Sequence, residues 1–474
     1  MSMQDHVRKA GAPAALVSER RPARRGLIFT IVALALMMMS VDTTIVATAL
    51  DTLQQALHTS INWAGWTITA YSFGYVVMLP VSGELSDRYG DRRVFFGSVI
   101  AFTLASLGCG LADNIYVLIA LRALQAAGGA GFTPSATAII VDHFGDQRDR
   151  AVGLFGSIFS VGAMIGPIFG GLFVTYWTWR GIFFVNVPLG IAVIVLGLRY
   201  IPRDRPEEQA AQPRIDSIGM AQLGVGLVAG MLAASYLGER HADVFSPLFL
   251  APSVLAIAAL WAFFRHISRS AHPFIAPHLI HGEGFGAVNT INGLLGGLTS
   301  GAVALVPLYA AERYGLNALD ASTLLVAQGV AAIILSIVAA LILRRTGYRR
   351  PLYLGGVIII IGLVLLALSP AGGISPYVWL AGAAFLVGAG SGAINPATRN
   401  AGLQLEPEHS STLAALRSMS MQIGTIVMVT IATAILASSR RPGLMQARIF
   451  LVSALVLVAC LPLIAHVPEH RGSW

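Results

Sequence analysis

Charge is scarce in this 474-residue chain: Asp, Glu, Lys and Arg make up 11% of it, whereas a soluble domain carries about 25%. With 55% hydrophobic residues and a mean hydropathy of +0.72, that scarcity excludes an assembly of soluble domains and describes a polytopic membrane protein. Lysine is all but missing. Lys9 is the only one, so nearly every base is arginine; with abundant Ala and Gly, this fits a GC-rich bacterial genome. Cysteine is scarce too: Cys109 and Cys460 both lie in apolar runs, which leaves no disulfide framework or cysteine metal site and makes them small hydrophobes. There is no His-rich metal set, nucleophile elbow or phosphate loop, and the loops are too short for a catalytic domain. Neither an enzyme nor a metal site is expected.

What the chain has is long apolar runs. Cutting it at charges, prolines and glycine pairs gives fourteen candidate helices, near 27–50, 62–82, 94–112, 115–141, 151–176, 182–198, 217–238, 247–264, 284–311, 320–343, 352–369, 376–398, 418–437 and 449–467. Crossing a bilayer takes roughly 20 residues at ~1.5 Å each. The uncharged stretch from Leu352 to Thr398 is too long for one helix, and Pro370-Ala-Gly-Gly-Ile-Ser-Pro376 supplies the turn that divides it. The first 26 residues are polar and Arg-rich; the apolar stretch behind them is too long for a signal-peptide core, so it is expected to stay as a membrane helix.

An even number of spans puts both termini on one side. With that side cytoplasmic, 24 of the 31 bases fall inside, six outside and one, Arg122, within a span. This is the positive-inside asymmetry, expected of a multi-pass protein of the bacterial plasma (inner) membrane. The net charge of +8 is therefore a topology signal and not a nucleic-acid surface. Arg440, Arg441 and Arg448 fall outside, against the trend.

The spans divide into a cytoplasmic N-terminal segment (1–26), a six-helix bundle (27–201), a linker with two extra spans (202–281), a second six-helix bundle (282–468) and a cytoplasmic tail (469–474). The polar string Pro202-Arg-Asp-Arg-Pro-Glu-Glu-Gln209 marks the linker. Gly83-Glu-Leu-Ser-Asp-Arg-Tyr-Gly-Asp-Arg-Arg93 follows the second span of the first bundle, and a worn echo, Leu343-Arg-Arg-Thr-Gly-Tyr-Arg-Arg350, follows the second span of the other. Duplicated halves of this kind are the repeat architecture of secondary transporters.

Asp42 is the only carboxylate placed well inside an apolar run, in Ser40-Val-Asp-Thr-Thr-Ile-Val46. Burying an acid there costs about 2.5–3.5 kcal/mol on insertion scales, so it faces a partner or a wet cavity. It is either a structural acid pinning two helices or a proton-binding group. By helical rise Asp42 lies roughly 22 Å from the inner face and Arg122 about 20 Å, so the two are able to meet if their spans are neighbours. Burial and a neighbouring cation act in opposite directions on an acid's hold on its proton, which is how such a pair is poised for exchange. A static ion pair is the plainer alternative. Gln125 follows Arg122 by one turn on the same face.

In the fifth span Gly162, Gly166 and Gly170 recur every four residues and line one face, joined by Gly171, while Pro167 removes a hydrogen bond within the helix. Such a face permits close helix packing. Trp66, Tyr71, Gln125, Asn289, Asn292, Gln328, Asn395 and Gln422 suit a large, mostly apolar cavity with a few polar anchors. Singly, each polar group among them reads as a helix-packing hydrogen bond.

The segment Gly83 to Arg93 resembles the inter-helix loop motif of the major facilitator superfamily. Val41-Asp-Thr-Thr-Ile-Val46, Arg122-Ala-Leu-Gln125, Gly162-Ala-Met-Ile-Gly-Pro-Ile-Phe-Gly-Gly171 and Trp179-Arg-Gly-Ile-Phe-Phe-Val-Asn-Val-Pro188 extend the likeness to its fourteen-span drug:proton antiporter branch, the multidrug and quaternary-ammonium exporters. The resemblance implies an all-α integral membrane protein with the major facilitator fold: two six-helix bundles plus two additional transmembrane helices. It implies a proton-coupled exporter of small amphipathic compounds, driven by the proton gradient without a cofactor and working in the lipid bilayer as a monomer. Asp42 and Arg122 would couple protons. Gly83, Asp87, Arg88, Gly90, Arg92 and Arg93 would form a conformational latch between half-domains. The glycine face with Pro167 would seal the cavity against leak. The span-one motif has Ala47 and Asp51 where the family usually has Asn and Pro, and Ala126 replaces a Gly after the arginine motif. These departures bear on substrate choice more than on fold. A dedicated exporter of a single metabolite, lipid or self-made antibiotic carries the same motifs and is the alternative.

Overall fold

The computed structural model describes residues 25–144, 148–202, 216–237, 243–270, 273, 277–282, 284–403 and 410–469. Most of the expected N-terminal segment, the linker string, the tail beyond 469 and the side chains of Asp87 and Arg88 lie outside the described residues.

Every regular element among the described residues is helical. The first half of the chain forms α1 (Arg25–Ile45), α2 (Leu50–Ala56), α3 (Ile61–Tyr89), α4 (Asp91–Leu111), α5 (Ile115–Ala130), α6 (Phe132–Phe144), α7 (Arg148–Tyr176), α8 (Gly181–Phe184) and α9 (Asn186–Tyr200). The pair α10 (Ser217–Tyr236) and α11 (Pro247–Ile267) follows. The remainder forms α12 (Pro277–His281), α13 (Phe285–Ile291), α14 (Thr299–Ala304), α15 (Val306–Tyr314), α16 (Ala318–Thr346), α17 (Arg349–Ala367), α18 (Pro376–Leu403), α19 (Ser410–Ala437) and α20 (Pro442–Cys460). Short polar residues start the helices where the sequence supplies them. Asn114 accepts from the Tyr116 amide at 2.8 Å, Asn317 from Asp320 at 2.8 Å and Asp216 from Gly219 at 2.9 Å, each satisfying a donor that the first turn leaves unpaired.

Among the described residues, eleven helical stretches are long and apolar enough to cross a membrane, or twelve if the bent run Phe285–Ala304 plus Val306–Tyr314 is one span. Helices α3 and α7 each run for 29 residues, and Val161–Tyr176 is an apolar part of α7. Each of the fourteen expected segments is helical over most of its length.

Three expectations change. Helix α3 continues to Tyr89, so Gly83, Asp87 and Arg88 sit on its last turns and not in a loop; only Gly90, at φ +91°, makes the break. That conformation favours glycine, because a Cβ would clash there. Helix α19 begins at Ser410, and its apolar stretch Leu416–Ala437 takes in Arg417, so Arg122 is not the only base within a candidate span. Helix α20 begins at Pro442, because proline's fixed φ and missing N–H suit a first helical position. Arg448, expected in the outer loop, therefore lies within α20.

The basic turns of the two halves are built alike. After Gly90, Arg92 Nε donates to the Ile201 carbonyl at 2.9 Å, just beyond the end of α9. After Gly347, at φ +69°, Arg349 Nε donates to the Val467 carbonyl at 2.8 Å, past the end of α20. Glu469 then accepts from the amides of Tyr348 at 3.1 Å and Arg349 at 3.4 Å. Burial and that carboxylate push the Tyr348 phenol up from its ordinary pKa.

Helix α7 lies between α1 and α16, and α3 packs on α19. A Cβ on Gly65 would fall 2.6 Å from Thr433 Cγ2, and one on Gly171 would fall 3.2 Å from Leu319 Cα. The halves therefore approach to near backbone contact at the end that carries Ser60, Trp177 and Arg441. Helix α10 touches both α3 and α19. Asn62 Nδ2 donates to the Ser235 carbonyl at 2.9 Å, and the Trp66 indole N–H donates to the Ser235 hydroxyl.

Candidate functional site: a buried polar cluster around Asp42

Helix α1 ends just past Asp42, and Val46–Ala49 tightens into a 3-10 turn. Hydroxyls along this stretch bond back to its own carbonyls: Thr43 to Ser40 at 2.7 Å, Thr44 to Val41 at 3.2 Å and Thr48 to Ile45 at 2.7 Å. Back-bonding of this kind loosens and bends a helix, which is consistent with the change of pitch here.

Asp42 is wholly buried, yet its carboxylate accepts from three side chains. Arg122 Nη1 donates to Oδ2 at 2.6 Å, while Gln125 Nε2 and Asn186 Nδ2 each donate to Oδ1 at 2.8 Å. The Ser106 hydroxyl accepts from both amides at 3.0 Å and donates to the Phe183 carbonyl at 2.9 Å. Arg122 also donates to Gln125 Oε1 at 2.7 Å and, through Nε, to the Thr67 carbonyl at 3.3 Å. Its guanidinium lies 4.2 Å from the centre of the Tyr71 ring and 5.6 Å from that of Phe183. Helices α1, α3, α4, α5, α8 and α9 all contribute to the cluster.

The charges of Asp42 and Arg122 cancel, and both are at most 1% exposed. Desolvating such a pair is expensive, and only good geometry with further hydrogen bonds offsets the cost. Here every carboxylate contact is a charge-assisted bond, roughly twice as strong as a neutral one. The Tyr71 hydroxyl and Asn186 Oδ1 are buried without a hydrogen-bond partner among the described residues, so the site retains polar capacity. Chemically, the cluster is able to hold an ionised carboxylate inside the helix bundle and to respond if that carboxylate takes a proton.

The glycines of α7 lie directly against this segment of α1. A Cβ on Gly162 would fall 2.6 Å from Ser40 Cβ. On Gly166 and Gly170 it would fall 2.8 Å from the carbonyl oxygens of Val41 and Ile45. Gly171 faces the other way, against α16, and Pro167 is buried within α7.

The structure therefore gathers Asp42, Arg122, Gln125 and Tyr71 at one place, with the α7 glycines beside them. The remaining cavity candidates lie elsewhere. Trp66 packs with Met231 of α10 and Ile426 of α19. Asn289 donates to the Ile280 carbonyl at 3.3 Å, and Asn292 opens a π-helical stretch, Asn292–Leu298. Asn395 accepts from Arg417 at 2.9 Å, while Gln328 and Gln422 are half-buried on α16 and α19. In the loop motif Arg92 holds the end of α9, as described above. Asn186, Ser106 and Thr67 were not singled out from sequence. Asn186 stands in the quoted string Trp179 to Pro188, where an amide in an apolar run was the available signal. Ser106 offered none.

The profile of the Major Facilitator Superfamily matches residues 32–429 of this chain. Similar proteins include a multidrug resistance protein B homolog of Mycobacterium tuberculosis, 30% identical over 82% of this chain and 72% of that relative. The multidrug transporter protein MdtP of Bacillus subtilis is 30% identical over 73% of this chain, which spans 64% of that relative's length. The methylenomycin A resistance protein of Streptomyces coelicolor is 28% identical over 89% of this chain and 88% of its own.

Proposed function

Because the chain belongs to the major facilitator superfamily, a family of transporters, we propose that it is a proton-coupled exporter of amphipathic compounds working by alternating access. It would reside in the bacterial plasma membrane with fourteen spans, both termini cytoplasmic and two six-helix halves flanking the α10–α11 pair. It would act as a monomer and need no cofactor. One observation carries the reading most: the fully buried Asp42 carboxylate, held by Arg122, Gln125 and Asn186 on the same stretch of α1 that α7 contacts through bare glycine backbone.

A proton binding Asp42 removes the charge that compensates Arg122. The cationic fork then loses its anionic partner, and the grip between α1 and α5 weakens. Helix α1 bears on α7, and α7 bears on α16 across the seam between the halves, so a change at Asp42 reaches the contact that has to open. The tight packing at Gly65 and Gly171 fits a conformation closed at the outer end. Release of the proton inward restores the ion pair, and the inward proton gradient drives the cycle. A cationic substrate would compete for the same carboxylate.

Uptake of an added fluorescent cationic dye by everted membrane vesicles tests this directly. Wild-type protein is expected to transport dye under an imposed pH gradient and to release protons when dye is added. Asp42→Asn is expected to do neither, and undiminished transport by that variant would refute the proton role. A dedicated exporter of one compound is the second reading. It is favoured by the near full-length match to a relative named for resistance to a single antibiotic. A susceptibility panel separates the two: resistance to several unrelated compounds supports the first, resistance to one supports the second.

A further inference from the structure

The arginines that ran against the topology rule have a use in the structure. Arg440 and Arg441 are exposed in the turn before α20, and Arg448 is exposed on α20 itself. Among the described residues, none of the three guanidiniums has a hydrogen bond or ion pair; the Arg441 backbone N–H donates to the Ser439 hydroxyl at 3.2 Å. Arg441, at φ −136° and ψ 74°, is the non-helical residue just before α20, while Arg448 lies four positions beyond Leu444 within the helix and shares its face. That face continues through Leu444 at 47% exposure and Leu455 at 68%, which is an apolar stripe turned toward lipid.

Arg448 lies six residues beyond Pro442, about 9 Å down the helix axis. An unpaired guanidinium at that depth against hydrocarbon is costly. Helical side chains lean toward the helix N-terminus, which here is the rim of the membrane, so Arg448 is directed back toward Arg440 and Arg441. The start of α20 adds to the positive field, since Arg441 provides no side-chain cap and the helix dipole is positive there. Neighbouring Arg313 is already satisfied by the Tyr309 hydroxyl at 2.7 Å and Ser369 at 3.0 Å. The acid beside it, Glu312, lies near Asp51.

We propose that Arg440, Arg441 and Arg448 bind the phosphate headgroup of an anionic phospholipid, whose acyl chains lie along the Leu444–Leu455 face of α20. Charge complementarity and the apolar stripe call for a lipid and not a free anion. The inference is independent of substrate and of proton coupling. It also accounts for three bases outside the main topology pattern: they answer a lipid, whatever side that end of the molecule faces.

The test uses the purified full-length protein in nanodiscs of phosphatidylcholine, with or without phosphatidylglycerol. Phosphatidylglycerol is expected to raise the melting temperature of wild type and to remain bound in native mass spectrometry. R440Q/R441Q/R448Q is expected to lose most of that shift and to bind the lipid on the order of a hundredfold more weakly, while R440K/R441K/R448K keeps much of both. If the glutamine variant does not purify, Arg448→Gln alone is expected to give a partial loss. Inorganic phosphate added to phosphatidylcholine discs is expected to produce no shift. An undiminished phosphatidylglycerol shift in the glutamine variants, or full reproduction by phosphate, overturns the proposal. The discs impose neither orientation nor gradient, so failure here is distinct from failure of the exporter reading.

Discussion

Asn186 Nδ2 donates to Asp42 Oδ1 at 2.8 Å from 144 positions further along the chain. This neutral amide, beside Gln125, completes the set of donors around the carboxylate. A hydrogen bond to a charged group contributes about 1.5–3 kcal/mol, so Asn186→Ala is expected to lower thermal stability measurably. The informative variant is the exchange D42N/N186D, which preserves charge, volume and hydrogen-bonding capacity while moving the carboxylate from α1 to α9. It is expected to fold with a melting temperature nearer wild type than Asn186→Ala, and to lose dye-driven proton release. Proton release at the wild-type level would show that the charge, and not its place on α1, matters.

Arg122 and Asp42 predict a double-mutant relationship. Removing one partner of a buried pair leaves an uncompensated charge and costs about 3–5 kcal/mol. Arg122→Gln is therefore expected to melt well below wild type, and D42N/R122Q to recover a substantial part of the loss. Neither is expected to transport. Additive destabilisation in the double variant would mean that the two groups do not depend on each other.

The glycines of α7 predict a contrast between positions. Alanine at Gly166 or Gly170 would place a Cβ against the Thr44 or Thr48 hydroxyl and 2.8 Å from a backbone carbonyl of the Asp42-bearing stretch, and the carbonyl is unable to move aside as a side chain does. Both variants are expected to lose most dye efflux. Gly97 and Gly382 have nothing within 4 Å of an added Cβ, so alanine there is expected to be neutral or to stabilise by roughly 0.5–1 kcal/mol. Efflux assays on all four, normalised to protein in the membrane, check the pattern. Equal effects at the four positions would remove the special role of the α7 face.

Trp66 separates cavity from packing. Its indole bonds to Ser235 and packs with Met231 and Ile426, so it tethers the α10–α11 pair to both halves. Trp66→Ala is expected to cost about 3 kcal/mol or more in stability, with little change in the dye concentration for half-maximal transport. A large change in that concentration at unchanged stability would return Trp66 to the substrate path.

These cases show what a sequence of this kind makes legible. Asp42 and Arg122 stand out because a charge in an apolar run is rare and costly, and helical rise alone placed them at matching depth. The α7 glycines stand out because a four-residue recurrence defines a face. Ser106 does not, because a single hydroxyl in a membrane helix satisfies itself locally as often as it bonds elsewhere. Trp66 is recognisable as a large aromatic, but its partner Ser235 lies 169 positions away in the extra helix pair. A charge reads as a helix boundary, which puts Arg448 outside its helix, whereas Pro442 starts the helix and an exposed arginine is tolerated near its end.

The paired basic turns yield the last prediction. Arg92 holds the Ile201 carbonyl at 2.9 Å and the Leu198 carbonyl at 3.3 Å, whereas Arg349 holds Val467 and pairs with Glu469 at 3.7 Å. Both guanidiniums fasten the start of one helix to the segment just past the end of another. The second clamp has a carboxylate, Glu469, that also accepts from the amides at the start of α17. Arg349→Gln is expected to lower the melting temperature by more than Arg92→Gln, and Glu469→Gln to reproduce part of the Arg349 loss. Arg92→Gln is instead expected to slow efflux at nearly unchanged stability, if the turn it shares with Gly90 moves during the cycle. Melting curves and efflux rates measured on the same preparations check this. The reverse ranking would place the moving turn in the second half.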